Sequence, residues 1–354
     1  MQPEPAILAV NPGSTSTKLA VCDLSGGIVA GETLRHSAAE LALFNHVADQ
    51  FPYRLKACLE WSRDHLRSCS AVAGMGGLLR PLEGGIYRVN EKMLSDAMEN
   101  LQGEHASNLG CMLAGAIAEE YHCSAYVVDP VSVDEFEPLA YVSGHPLIRR
   151  KSLSHALNIH AAARKAAGEL KLKVENSGFV IGHLGGGISI APVRNGKIID
   201  VNDAASDGPF SPERSGGLPL QDVVTLAFSG LYSEREMRAM IMGKGGCVAY
   251  LDTNSVEEIA ERIAKGDRAA GEIFDAMAYQ VAKEIGAMAT VLKGRVDAVV
   301  LTGGITCSRP FVERVAERVK FIAPVIVYPG EDEMRSLALG AARVLRGIEE
   351  AKEY

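Results

Sequence analysis

Three short turns carry the residue types that hold phosphate: Asn11-Pro12-Gly13-Ser14-Thr15-Ser16-Thr17-Lys18, His183-Leu184-Gly185-Gly186-Gly187 and Thr302-Gly303-Gly304-Ile305. Each follows an apolar run that reads as a buried strand, so backbone amides and hydroxyls can be offered to phosphate oxygens without side-chain obstruction. One such turn is as well explained by a structural hairpin, since glycine is common in turns. Three in one chain, two of them in repeated units, point to a polyphosphate. The dinucleotide fingerprint fails because Ile190 stands where its last glycine would be, and no Gly-Lys-Ser/Thr occurs at P-loop spacing. Arg214 lies in a Ser/Gly-rich stretch, Ser211 to Gly217, and its planar fork suits bidentate contact with carboxylate or phosphate. A solvated surface arginine is the alternative. Asp129 closes the apolar run Ala125 to Val128 before Pro130, a carboxylate at the C-terminal edge of a strand where ligands gather. The alternative there is a turn-forming Asp-Pro.

The elements that must position these residues repeat. A strand from Ala6 to Val10, a polar turn from Asn11 to Thr17, a strand from Lys18 to Cys22 and a Gly26-Gly27 turn open the chain. About 170 residues later come a strand from Phe179 to Ile181, a turn from Gly182 to Gly187, a strand from Ile188 to Val193, the hairpin signal Asn195-Gly196, and a strand from Lys197 to Val201. A duplicated α/β unit explains both; two unrelated hairpins are the alternative. Apolar spacing predicts helices over Glu91 to Leu101 with Asn90 as cap, Asn108 to Glu120, Leu153 to Leu172, Arg268 to Leu292 and Glu333 to Glu350, with a buried strand over Asp297 to Leu301.

A chain of 354 residues is long enough for two domains. The crossings between them are expected near Arg149 to Lys151 and near Tyr328 to Glu333. The 36 Lys+Arg against 44 Asp+Glu give a net charge of −8 with no long block of either sign, which argues against nucleic acid and membrane surfaces as partners. No apolar run is long enough to span a bilayer, and Met1-Gln2-Pro3-Glu4-Pro5 lacks the cationic start of a secretory signal. Seven scattered cysteines without a Cys-x-x-Cys pair read as reduced thiols of a cytoplasmic protein.

Together the motifs Asn11 to Lys18, His183-Leu184-Gly185-Gly186-Gly187-Ile188-Ser189, Glu213-Arg214-Ser215-Gly216-Gly217 and Leu301-Thr302-Gly303-Gly304-Ile305 resemble the acetate and butyrate kinase family, and the likeness runs from Ile7 to the final helix. The resemblance implies an α/β protein with the duplicated ribonuclease-H-like fold of the actin-like ATPases. It would have two lobes with a central cleft, residues 1–149 plus 334–354 in the first and 150–333 in the second. It further implies ATP-dependent, reversible phosphorylation of a short-chain fatty acid carboxylate to an acyl phosphate, with ATP and Mg²⁺ as cofactors and association at least into homodimers. By the same resemblance Arg214, Asp129, His155 and His183 are catalytic. Asp129 and Glu333 hold the metal, and Asn11, Ser14, Ser16, Lys18, Gly185, Gly186, Gly187, Gly303 and Gly304 bind nucleotide and phosphate. The two histidines would reach the transferring group as neutral donors or as cations. Gly303 and Gly304 would be required because a Cβ would collide with base or ribose. A helix-starting acidic cluster explains Glu333 equally well.

The chain departs from the family at Met75, in Gly74-Met75-Gly76-Gly77, where an arginine is usual. A thioether forms no ion pair, so Arg80 or Arg88 must substitute or carboxylate affinity must fall. Ser154, where a larger apolar residue is usual, and the segment Thr253-Asn254-Ser255-Val256-Glu257 bear on the acyl pocket and the grip on adenosine. An actin-like ATPase, or a weakly active nucleotide-dependent binding protein of the same fold, is the competing reading.

Overall fold

The computed structural model describes residues 5–354. The chain divides into two compact units, one running through Asp134 and resuming at Asp332–Tyr354, the other Glu135–Glu331. Arg149 to Lys151, the expected crossing, lies inside the second unit. The reason is local: the Glu135 carboxylate accepts the Ile198 N–H at 2.7 Å, and the Glu137 N–H donates to the Ile199 carbonyl at 3.0 Å, so the segment is tied in before it reaches Arg149.

In the first unit the strands β1 (Ile7–Pro12), β2 (Ser16–Cys22), β3 (Ile28–Arg35), β4 (Ala71–Gly74), β5 (Ile86–Arg88) and β6 (Ser124–Val128) form one sheet in the order β3-β2-β1-β4-β6-β5. β1 to β3 are an antiparallel meander, and β1, β4 and β6 run parallel. Ile7, Leu8, Ala9 and Val10 are all fully buried. A continuous apolar run of this kind is what a strand covered on both faces requires. Helices Leu109–Glu120 and Glu333–Leu345 pack on β1, β4 and β6. Asn90 caps helix Glu91–Met98 by accepting the Met93 N–H at 3.0 Å.

The second unit begins with a small exposed hairpin, β7 (Val142–His145) and β8 (Ile148–Arg149). Its main sheet comprises β9 (Gly178–Leu184), β10 (Ile188–Arg194), β11 (Lys197–Ile198), β12 (Ala298–Gly303) and β13 (Val325–Pro329), ordered β11-β10-β9-β12-β13. Again three strands form an antiparallel meander, and β9, β12 and β13 run parallel. Strand for strand this is the arrangement of β3, β2, β1, β4 and β6, so the repeat seen in sequence is a repeat of topology. Helix Ala156–Glu169 packs on β9 and β12, and helix Arg268–Val291 on β9 and β10.

The strands extend further into the turns than the residue types suggest. Asn11 pairs with Lys18 and Pro12 with Thr17 in the β1–β2 ladder, leaving residues 13–15 as the turn. Likewise β9 and β10 leave only Gly185 to Gly187 between them. Polar residues chosen for a ligand interrupt the apolar pattern without interrupting the ladder. Among the described residues no helix is long and apolar enough to cross a membrane.

Candidate active site

The turn at Gly185 to Gly187 is surrounded by groups able to act on an anion. An ideal Cβ at Gly187 would stand 2.4 Å from Arg214 Nη1, so the guanidinium lies directly on that glycine. Arg214 is placed by the loop before it. The Ser211 N–H donates to the Arg214 carbonyl at 3.0 Å, Ser211 Oγ accepts the Arg214 N–H at 3.2 Å, and the same hydroxyl donates to the Gly186 carbonyl at 2.5 Å. Gly246, at φ +60°, makes this loop possible, because a Cβ there would come within 1.8 Å of the Ser211 carbonyl oxygen. The guanidinium donates from Nη1 to the Ala204 carbonyl at 3.0 Å, while its buried Nε has no partner. Burial lowers its pKa, against the opposing influence of Glu213 and Asp203.

His155 and His183 stack with ring centroids 4.0 Å apart. His183, near the end of β9, pairs with Ser189 on β10, and Ser189 Oγ lies 2.9 Å from His155 Nδ1, so one hairpin register sets both rings. Burial, and secondarily the Arg214 charge, lowers the His155 pKa to about 4. Burial and the neighbouring His155 push His183 well below the ordinary histidine value. Both imidazoles are therefore neutral at pH 7, in favour of the neutral of the two roles open from sequence. His183 Nδ1 is buried without a partner, and its Nε2 lies 3.9 Å from Glu331 Oε1.

Beside the turn is a cavity of about 720 Å³, within the range of small-ligand sites. Its walls include Gly185, Gly186, Asn254, Glu257, Gly304 and Ile305, which brings the second and third glycine motifs to one place. The reason for glycine differs between the members of the third motif. Gly303 has φ +97°, and a Cβ on it would meet the Leu184 backbone at 2.4 Å. Close approach of β12 to β9, not a base or ribose, accounts for that residue. A Cβ on Gly304 would meet nothing within 4 Å, so its space is open toward the cavity.

The first unit brings Asn11, Lys18 and Glu333 together. Glu333, the first residue of its helix, accepts from Asn11 Nδ2 at 2.6 Å and lies 3.8 Å from Lys18 Nζ. Ser14 is exposed at the tip of the turn and Ser16 half-buried at the start of β2. Asp129 follows β6 with φ +41°, a region non-glycine residues rarely adopt, and is 1 % exposed. Its Oδ1 accepts the Gly85 N–H at 2.7 Å. Among the described residues no cluster of three or more His, Cys, Asp or Glu could itself hold a metal. Magnesium asks for less, one or two protein carboxylates beside phosphate oxygens. Glu333, accepting from the Asn11 amide with Lys18 nearby, is the carboxylate of this group that could take such a place.

Met75 is half-buried, and neither proposed substitute stands in for it. Arg80 makes a bidentate pair with Asp96 at 2.6 and 2.9 Å, and Arg88 lies over the Tyr126 ring and 3.7 Å from Glu353. Sequence reasoning quotes Ser189 and Ser211 within motifs and places Asn254 in a nucleotide-side segment, but gives no role to Ser189, Ser211 or Glu331. Of these three only Ser189 carries a signal for its role, its place opposite His183 across a short hairpin.

The doubled sheet, with glycine turns opening on one cavity, defines the actin-like ATPase fold. The structure superposes on acetate kinase from Porphyromonas gingivalis with a TM-score of 0.80 over 98% of this chain and 100% of that one, at 18% identity. Residues 139–326 match the model of the acetokinase family. In sequence the chain is 50% identical over 352 residues to a probable butyrate kinase of Listeria monocytogenes, and 49% identical to butyrate kinase 2 of Clostridium acetobutylicum. Each match covers 98% of this chain and 99% of the relative. The chain belongs to the acetokinase family.

Proposed function

We propose that the protein transfers the γ-phosphoryl group of ATP, reversibly, to the carboxylate of a short-chain fatty acid, butyrate or one of similar size, giving an acyl phosphate. The observation that carries this reading is half-identity, along nearly the whole chain, to proteins named butyrate kinase. A carboxylic acid has a pKa of about 4, so the attacking oxygen is already anionic and no general base is needed. The chemistry is then positioning and charge stabilisation.

Arg214 supplies the cation at the transferring group. His155 and His183, neutral, donate hydrogen bonds without adding charge of their own. With His155 Nδ1 engaged by Ser189, its Nε2 is the ring nitrogen left for substrate. The cavity beside Gly185 and Gly304 takes the adenosine. In the first unit Asn11, Ser14, Ser16 and Lys18 hold phosphate oxygens. Asp129 and Glu333 would hold magnesium, which when bound neutralises phosphate charge.

The protein works in the cytoplasm, in keeping with seven free cysteines. It works as a homo-oligomer: helix Leu220–Ala227 has no buried residue, and Leu220, Val224 and Phe228 line up along its exposed side at 78, 53 and 88 % exposure. A second copy is the natural cover for that stripe.

Acyl phosphate trapped as hydroxamate, with acetate, propionate, butyrate and isobutyrate in turn, tests the reading. Product is expected with at least one acid, butyrate or isobutyrate foremost. No product from a protein that binds ATP would favour the nucleotide-dependent binding protein or ATPase instead, for which the uncharged Met75 is the supporting observation.

A further inference from the structure

Arg54 is fully buried, and among the described residues it is the only buried arginine or lysine. It sits near the start of helix Phe51–His65, where the helix dipole disfavours a cation. Every acceptor it touches is neutral. Nε and Nη2 donate to Gln50 Oε1 at 3.0 and 2.8 Å; Nη1 donates to the Gly13 and Ser16 carbonyls at 2.8 and 3.0 Å and to Thr17 Oγ1 at 3.2 Å; Nη2 donates to the Ser14 carbonyl at 3.0 Å. His36, whose Nε2 lies 2.9 Å from Thr17 Oγ1, has its pKa lowered by burial and by Arg54, and offers no counter-charge.

A buried guanidinium without a carboxylate is costly unless something else completes it. What it touches tells what that is. Arg54 takes three of the four carbonyls from Gly13 to Ser16, and the fourth, of Thr15, accepts the His36 N–H at 2.9 Å. Every carbonyl from Gly13 to Ser16 is thereby occupied, three of them by Arg54. Among the described residues the N–H groups of Ser14 and Thr15, both exposed, have no protein partner. Consecutive free N–H groups backed by a fixed positive charge form an anion-binding concavity.

We infer that Arg54 is a positioning residue for the phosphate turn of the first unit: it holds the turn's carbonyls inward so that the Ser14 and Thr15 amides face the polyphosphate, and the bound anion completes its charge. This rests on the reading above that the turn holds phosphate. A planar five-donor fork suits the task, whereas lysine keeps the charge but cannot reach so many acceptors in one plane.

The test compares wild type, Arg54→Gln and Arg54→Lys for the rise in melting temperature with magnesium tripolyphosphate, and for kcat and KM in acyl phosphate formation. Tripolyphosphate is expected to stabilise the wild type. Arg54→Gln is expected to lose most of that rise and about 100-fold in kcat, with KM for the acid within about threefold, the scale of a displaced electrostatic donor. Arg54→Lys is expected to recover part of the rise and to stay at least about tenfold down in kcat, since charge alone does not restore the fork. A role in packing alone would lower the melting temperature while leaving the tripolyphosphate-induced rise and kcat intact, and that result overturns the inference. Should the glutamine variant not fold, wild-type kcat in Arg54→Lys overturns it equally. Tripolyphosphate binding involves no acid, so failure to make acyl phosphate would remove the functional reading while leaving this measurement standing.

Discussion

Two hairpin turns occupy the same place in the repeated topology, residues 13–15 between β1 and β2 and residues 185–187 between β9 and β10, yet each has an arginine used in an opposite way. Behind the first, Arg54 is fully buried and spends its donors on backbone carbonyls and a glutamine. Against the second, Arg214 lies on the Cα of Gly187 with its Nε unpartnered and two neutral histidines alongside. One cation shapes a turn; the other is kept available. Duplication thus supplied two equivalent turns, and under the proposed function the side chains around them would divide holding an anion from acting on one.

The sharpest way to break this division is Arg214→Ala. If Arg214 is the transition-state cation the proposed function makes it, its removal costs about 1,000-fold or more in turnover. That loss is expected in the hydroxamate assay with ATP affinity changed only a few-fold, and near-normal turnover would dissolve the contrast between the two arginines. Gly187→Ala should come next. The new Cβ would collide with the end of a flexible side chain, so the cost falls on the position of Arg214 and not on the fold. Turnover is expected to drop roughly 100-fold, as for a misplaced electrostatic donor, with an almost unchanged melting temperature. A several-degree loss of stability with full activity would mean that the contact is packing. Met75→Arg should act least. If that half-buried position faces the acid, KM for it falls several-fold, the scale of one partly solvated ion pair of about 1 kcal/mol. No change would mean that the cations already present suffice.

Much of this site is legible in the residues alone. Gly185 to Gly187 and the repeat itself announce themselves because backbone turns for phosphate need small residues at fixed distances from strands, whereas His183 and Arg214 are singled out only with the family resemblance. Turn lengths are not legible: Asn11, Thr17, Gly182 and His183 look like loop residues, but ladder hydrogen bonds do not depend on side-chain type, so the strands run through them. The reason expected for Gly303 fails for a related cause, since the approach of β12 to the β9 backbone is a tertiary fact with no local trace. Arg54 gives no signal at all. In Phe51 to His65 it looks like any polar helix residue, and only the fold shows that its side chain turns inward.

The account turns on Arg214 being a cation beside two neutral imidazoles. The depressed pKa values of His155 and His183 mean that the unfolded chain binds more protons than the folded one below the free value of 6.5. Their neutral state thus contributes stability present above pH 6.5 and lost as the pH falls toward about 4. Nitrogen-15 NMR of the histidine side chains between about pH 8 and about pH 5 reads the state directly. Two of the nine histidines, identified by His155→Gln and His183→Gln, are expected to stay neutral throughout that range. Titration of both near 6.5 would mean that burial does not hold the rings neutral across this range and would contradict the account.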